Sequence, residues 1–161
     1  MLIATGQCDN RAIERGERVA AQTGQRLDAV LIQLGLLTER GLAESFATLL
    51  KLPLATPPRY PPTEPLLADV LSARFLRQAR ALPVAVEDGA LILATADPLD
   101  KFTPAAVAVA CGRHVKLEVA VPIELEAALE RLYPIDREED EGESGVRNPL
   151  EEDAERLKDL E

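Results

Sequence analysis

Few residues of this chain have the types and spacing that chemistry requires. Asp97 and Asp100 flank Pro98 and could form a metal-binding or acid–base pair. Aspartate is, however, also common in turns before proline and at helix starts, so we expect a turn role for Asp97 and a capping role for Asp100. The single histidine, His114, lies at a predicted strand start and is expected to be a solvated edge residue. We therefore assign no catalytic residue.

The sequence motifs of common enzymes are absent from the chain. It has no P-loop, no G-x-G-x-x-G fingerprint and no G-x-S-x-G elbow. Cys8 and Cys111 lack metal-site spacing and cannot complete a zinc set with His114. We expect reduced thiols, with Cys111 as a small packing residue and Cys8 in a frayed N-terminus. The chain as given is thus expected not to be an enzyme and to hold neither metal nor cofactor.

Charge and composition argue against several classes of function, among them nucleic-acid binding and insertion into a membrane. The net charge is −10, and residues 135–161 hold twelve acidic and four basic residues, so the segment before them is nearly neutral. Aromatic residues make up only 3% and no basic stripe is present, which argues against nucleic-acid binding. No apolar run reaches the ~18 residues of a membrane span, and the start does not resemble a signal peptide. We expect a cytoplasmic protein without direct membrane insertion.

The first half of the chain is predicted to be helical. Apolar residues recur at helical spacing through residues 1–52, which favours a small bundle of three helices. Gly16 weakens the first helix, Gly35 follows the second as a left-handed turn residue, and Thr38 caps the third. Residues 53–65 are rich in proline and are expected to form an extended connector.

The second half predicts an α-β-β-α-β-α subdomain over residues 66–134. Its first helix is broken near Ser72, which caps a segment that begins at Ala73. Asp88-Gly89 between two apolar runs predicts a hairpin, and the alternation after His114 predicts a third strand. The fold class is therefore α+β, with a helical bundle, a three-stranded sheet with helices, and an acidic disordered tail.

The tail and its neighbourhood complete the domain prediction. Residues 135–161 read as an acidic linker with a short helix at 150–160. The region before it, "ALPVAVEDGALILATADPLDKFTPAAVAVACGRHVKLEVAVPIELEAALERLY", resembles the N-terminal domain of the type II secretion ATPases (general secretion pathway protein E) and of the related type IV pilus assembly ATPases. The matching positions are Leu82-Pro83, Asp88-Gly89, Leu91, Ala94, Asp97-Pro98, Asp100, Gly112, Val115, Glu124 and Tyr133. The upstream "GQRLDAVLIQLGLLTERGLAESFATLLKLPL" is similar as well.

The resemblance implies a function. Such a chain would be the front end of a cytoplasmic, hexameric ATPase that uses ATP and Mg²⁺ in a core located in the same longer protein. The N-terminal domain would dock onto the cytoplasmic part of the inner-membrane platform protein, protein L, and so hold the motor at the membrane. Whether the protein acts in secretion or in pilus assembly stays open. A freestanding regulatory domain without a motor is a further alternative.

The same resemblance suggests a competing ligand. Some relatives bind cyclic di-GMP through a repeated motif similar to "RLGxxLxxxGxxxxxxLxxxLxxQ", in which arginine pairs with phosphate or guanine. Here Asp28 replaces the glycine and Leu49 the final glutamine, and an upstream copy fits worse, with Glu17 and Ala20 at leucine and glutamine positions. The six residues that fit are Arg26, Leu27, Leu31, Gly35, Leu42 and Phe46. The plain alternative is that the leucines and Phe46 form the core of the bundle.

Overall fold

The computed structural model describes residues 2–134, in which helices surround one mixed sheet. The predicted acidic tail with its short helix lies outside the described residues. The elements in chain order are α1 (Asn10–Thr23), α2 (Leu27–Gln33), α3 (Glu39–Leu50), β1 (Leu54–Ala55), a 3₁₀ turn (Pro57–Arg59), α4 (Ala73–Ala79), β2 (Ala81–Glu87), β3 (Ala90–Thr95), α5 (Phe102–Cys111), β4 (Val115–Ala120) and α6 (Pro122–Leu132). The mixed α+β class is confirmed.

Side-chain caps fix the starts of several helices. The Thr38 hydroxyl accepts a hydrogen bond from the Gly41 amide at 3.0 Å, which confirms the predicted start of α3. Ser72 accepts from the Phe75 amide at 3.2 Å and so starts α4 at Ala73, as predicted. These bonds satisfy amides that the first turn of a helix leaves without intrahelical partners.

The sheet has the strand order β1-β4-β3-β2. β2 and β3 are antiparallel and are joined by Asp88-Gly89, both at positive φ, as a two-residue turn of the primed type requires. β3 and β4 are parallel, and α5 forms the crossover between them. The predicted hairpin and third strand are confirmed.

The predicted strand count of three is wrong, because β1 adds a fourth strand. Leu54 and Ala55 pair in parallel with Val119 and Ala120, and the Val119 amide donates to the Pro53 carbonyl at 2.8 Å. β1 lies in the segment predicted to be only a connector. Two residues after a proline are too short for a detectable period-2 pattern, so the pairing is set by β4 rather than by local sequence.

Two apolar clusters meet at the sheet. One contains leucines of α4, α6, β2 and β3, among them Leu76, Leu93 and Leu125. The other contains Leu31 and Phe46 from the helices together with Val119 of β4. Because Val119 belongs to the second cluster while its strand neighbour Ala120 belongs to the first, β4 joins the helical half of the chain to the sheet.

Candidate functional site

An open groove of about 460 Å³ runs between α2, α3 and the end of β3. Three of the six motif residues line it, namely Arg26, Leu42 and Phe46. The other three do not: Leu31 is fully buried, Leu27 packs on the helical cluster, and Gly35 forms the left-handed turn after α2. Arg26, Leu42 and Phe46 are therefore the motif residues that share one surface, and that surface is the groove.

The side chain of Arg26 is already bound to two carboxylates. Its Nη1 lies 2.8 Å from Oδ2 of Asp97, while Nη2 and Nε lie 2.8 and 3.1 Å from the two carboxylate oxygens of Asp28. The hydrogen bond to Asp97, followed in size by the one to Asp28, raises the pKa of Arg26 above its ordinary value. Three of the five guanidinium N–H groups are thus already used, and a phosphate or a guanine edge would compete with both carboxylates for this side chain.

Asp97 and Asp100 have the structural roles predicted for them. Asp97 Oδ1 accepts a hydrogen bond from the Leu99 amide at 3.2 Å, which closes the turn around Pro98. Asp100 accepts from the Phe102 amide at 2.8 Å and from the amide and hydroxyl of Thr103, so it holds the start of α5. The Thr103 hydroxyl, followed by the Phe102 amide, lowers the pKa of Asp100. The turn and cap predictions are confirmed.

Leu42 and Phe46 belong to the core as well as to the groove. Both are buried on α3 and pack in the same cluster as Leu31. Leu49, at the position of the motif's final glutamine, is exposed. The floor of the groove is thus apolar core surface, and the polar contact that a glutamine would supply is missing.

The cysteines and the histidine lie apart from the groove. Cys8 is buried, and its thiol donates to the Leu36 carbonyl at 3.3 Å, so the expectation of a frayed N-terminus is wrong. Burial, followed by the charge of Asp9, raises the pKa of this thiol. Cys111 is half-buried and His114 is exposed. Within residues 2–134, no three His, Cys, Asp or Glu side chains are placed to hold a metal ion.

An ion pair on the sheet, between a buried glutamate and a partly exposed arginine, was not predicted from the sequence. Glu118 of β4 is buried, and Arg59 donates to its carboxylate with Nη2 at 3.0 Å and Nε at 3.2 Å. Arg59 also contacts Glu87 of β2 at 2.7 Å. Hydrogen bonds to Glu118 and then Glu87 raise the pKa of Arg59. The alternation of β4 marks Glu118 only as polar, and nothing near it in sequence identifies a partner 59 residues away.

Two further contacts join the helical half to α6. Glu39 Oε2 accepts a hydrogen bond from the Ile123 amide at 3.1 Å, and Arg40 forms an ion pair with Glu124. The carboxylates of Glu39 and Glu124 therefore both lie at the N-terminal end of α6, where negative charge is favourable. None of the helices in the described residues is both long enough and apolar enough to cross a membrane.

The fold and these sequence features define a domain family. Residues 50–139, more than half of the chain, match the MshEN domain, and the chain belongs to this family. It is similar to the type II secretion system protein E of Xanthomonas campestris pv. campestris, with 39% identity over 122 residues. That alignment covers 74% of this chain but 22% of the relative, so the chain spans about a fifth of the relative's length.

Two solved structures have the same fold. The N-terminal domain of XpsE superposes with a TM-score of 0.69 at 34% identity, covering 82% of this chain and 90% of that one. A structure of MshE with cdg superposes with a TM-score of 0.68 at 26% identity, covering 82% of this chain and 95% of that one. The resemblance to the N-terminal domains of secretion and pilus assembly ATPases is thus confirmed.

Proposed function

We propose that this chain is the N-terminal docking domain of a type II secretion ATPase. In this proposal it binds the cytoplasmic domain of the platform protein L and thereby holds the motor, a cytoplasmic protein, at the inner membrane. The observation that carries the proposal is the likeness to the N-terminal domain of XpsE in both fold and sequence. The lack of nucleotide-binding and nucleophile motifs in the sequence supports a role in recognition rather than in catalysis.

The activity of the whole protein belongs to this proposal too. ATP, Mg²⁺ and hexamer formation would be properties of an ATPase core in the same longer protein. This chain offers no Gly-rich phosphate loop with lysine for ATP. We therefore assign no step of ATP hydrolysis to its residues and propose that it is not itself an enzyme.

Isothermal titration calorimetry tests the docking proposal directly. The chain is titrated with the cytoplasmic domain of the cognate protein L, and with the corresponding domain of an unrelated secretion system as the control. Saturable heat with micromolar or tighter affinity is expected for the cognate pair only. A flat titration with the cognate domain, with both proteins folded by circular dichroism, would contradict the proposal.

Binding of cyclic di-GMP is the second candidate function. In its favour, MshE was solved with cdg, and the groove of this chain contains an arginine beside the apolar side chains of Leu42 and Phe46. Against it, Arg26 is bound by Asp28 and Asp97. A missing polar contact in a binding site costs about 1–3 kcal/mol, so the loss of the glutamine at Leu49 weighs in the same direction.

A parallel titration with cyclic di-GMP separates the two candidates. We expect no heat with the wild-type chain. The variant Asp28→Gly, which restores the motif glycine and removes one carboxylate from Arg26, is the informative comparison. Saturable heat with the wild type would make the groove a receptor site and would favour the second candidate.

A further inference from the structure

We propose that the outward side of α5 is the surface on which a protein partner docks, and that this partner offers an apolar patch rimmed by carboxylates. The α5 face is defined here by Leu99, Phe102, Ala105 and Val109. The inference rests on the proposed docking function and adds to it the surface and the chemistry of the partner.

The α5 face is apolar where a solvent-facing helix is normally polar. Phe102 is 73% exposed and Val109, seven positions further along the helix, is 85% exposed, so the two side chains lie two turns apart on one side. Leu99, in the preceding turn, is also exposed. Thr103 is the one polar side chain of α5, and it is buried. Contiguous exposed apolar surface of this kind marks interaction sites in proteins.

The other exposed apolar side chains do not form a comparable surface. In the described residues they lie singly on different elements: Ile3, Leu49, Val70, Val86 and Ile123. Scattered residues of this kind are ordinary on protein surfaces. The α5 face is distinguished because two large side chains and the alanine between them share one helix.

The α5 helix has defined ends and packs against the sheet. Asp100 caps its first turn, and Gly112 ends it in the left-handed conformation. On the inner side Val107 is fully buried, and α5 contacts β4. A surface that is ordered before binding loses little conformational entropy when a partner covers it.

The charge around α5 identifies the partner's chemistry. In residues 99–114 the only carboxylate is that of Asp100, which is bound by the amides at the start of α5, although the chain carries a net charge of −10. The same stretch contains Lys101 and Arg113, both exposed, and the exposed His114. A partner with carboxylates around an apolar centre complements this surface. A second copy of the chain would place the same basic residues opposite one another, which disfavours self-association through α5.

Calorimetry with matched variants tests the proposal. The chain is titrated with the cytoplasmic domain of protein L as wild type, as Val109→Asp and as Ile123→Asp. Both substitutions put a carboxylate at an exposed aliphatic position of a helix, but only Val109 lies on the α5 face. We expect Val109→Asp to weaken the affinity at least about tenfold and Ile123→Asp to leave it within about twofold.

A charge reversal gives an independent second variant. Because Arg113 is exposed, Arg113→Glu is expected to fold normally and to slow association at low salt, an effect that disappears at high salt. Thermal unfolding of each variant confirms that it is folded. If Val109→Asp failed to fold, Arg113→Glu would decide the question, and wild-type association kinetics for this variant would overturn the inference.

The outcomes distinguish the inference from the proposed function. A silent wild type contradicts the docking function, and the inference falls with it. Wild-type binding that Val109→Asp leaves unchanged overturns the inference alone. Tighter binding of protein L by a chain that ends at Pro134 would identify residues 135–161 as the occupant instead, and a dimer that Val109→Asp dissociates in sedimentation equilibrium would identify a second copy. Either result would overturn the proposed partner.

Discussion

Arg26 and Asp97, which are 71 residues apart in sequence, form an ion pair with a separation of 2.8 Å. Arg26 is the N-cap residue of α2, and Asp97 follows the end of β3. The pair therefore connects the helical half of the chain to the sheet across the groove. The same guanidinium is also held by Asp28, so the arginine of the motif serves as an internal contact.

A double-mutant cycle of Arg26→Gln and Asp97→Asn measures the strength of this connection. The two side chains are 58% and 38% exposed, so water and salt weaken their attraction. We expect a coupling free energy of about 0.2–1 kcal/mol from urea unfolding, and a smaller value in about 1 M NaCl. A coupling above roughly 2 kcal/mol that salt leaves unchanged would mean that the pair behaves as a buried one.

Contacts between residues close in sequence could be predicted from the sequence, whereas contacts between residues far apart in sequence could not. The caps by Thr38, Ser72 and Asp100 and the turn at Asp88-Gly89 use partners within three residues, and local sequence predicts them. The occupation of Arg26 by Asp97 depends on the packing of two subdomains. The motif spacing made Arg26 a candidate ligand residue, since spacing carries no information on that distant partner.

Three other features were missed for the same reason. β1 exists because β4 offers it a parallel edge, and the buried state of Glu118 depends on Arg59, which lies 59 residues before it. The burial of Cys8 likewise depends on the Leu36 carbonyl, 28 residues further on. Each is a tertiary contact between short, weakly patterned segments, which give no periodic signal.

At Gly16, substitution by alanine is expected to destabilise the protein, which is the opposite of the usual effect of this substitution in a helix. A Cβ at Gly16 would lie 2.6 Å from Cδ2 of Leu31, which is fully buried and cannot move freely. Glycine to alanine in a helix normally stabilises by up to about 1 kcal/mol. Here we expect Gly16→Ala to lower the free energy of unfolding by about 1 kcal/mol, because overpacking costs about 1–3 kcal/mol. Urea denaturation measures the change.

Leu31→Ala supplies the matched background for Gly16→Ala. The Leu31 substitution alone should destabilise by about 2–5 kcal/mol, since it leaves a cavity between the helices. In that background the clash is gone, and Gly16→Ala should become neutral or stabilising. Additive effects of the two substitutions would show that α1 and α2 do not meet at these residues.

The ion pair between Arg59 and Glu118 should contribute more to stability than the pair at Arg26. Arg59→Gln leaves the buried carboxylate of Glu118 without its cation, and we expect a loss of about 1–3 kcal/mol in the free energy of unfolding. Glu87→Gln is the matched control, because Glu87 contacts the same Arg59 with a half-exposed side chain. Its cost should stay below about 1 kcal/mol. Equal losses for the two variants would contradict the buried character of the Glu118 pair.

The two tyrosines of the chain make alkaline pH a probe of the core. Burial raises the pKa of Tyr60 to about 12, with Glu124 and Glu118 adding to the effect, and burial also raises the pKa of Tyr133 to about 12. In the unfolded chain both phenols should ionise near about pH 10. The folded state therefore retains protons that the unfolded state loses. The stabilisation is complete below about pH 10 and declines as the pH rises toward about 12.

Absorbance at the phenolate band follows this titration, and the absence of tryptophan simplifies the spectrum. We expect little ionisation near pH 10.5 in the folded chain and a midpoint about two units lower in urea. A folded-state midpoint near 10 for both residues would contradict their burial.

Phenylalanine substitutions assign the two tyrosines. In the described structure the Tyr60 hydroxyl has no hydrogen-bond partner, whereas the Tyr133 hydroxyl donates to the Leu66 carbonyl. Tyr133→Phe should therefore lower the free energy of unfolding by about 0.5–1.5 kcal/mol, while Tyr60→Phe should be neutral or stabilising, since it removes a buried polar atom that lacks a partner. Urea denaturation at neutral pH measures both. The opposite order of the two variants would mean that Tyr60, and not Tyr133, makes the stronger hydrogen bond in solution.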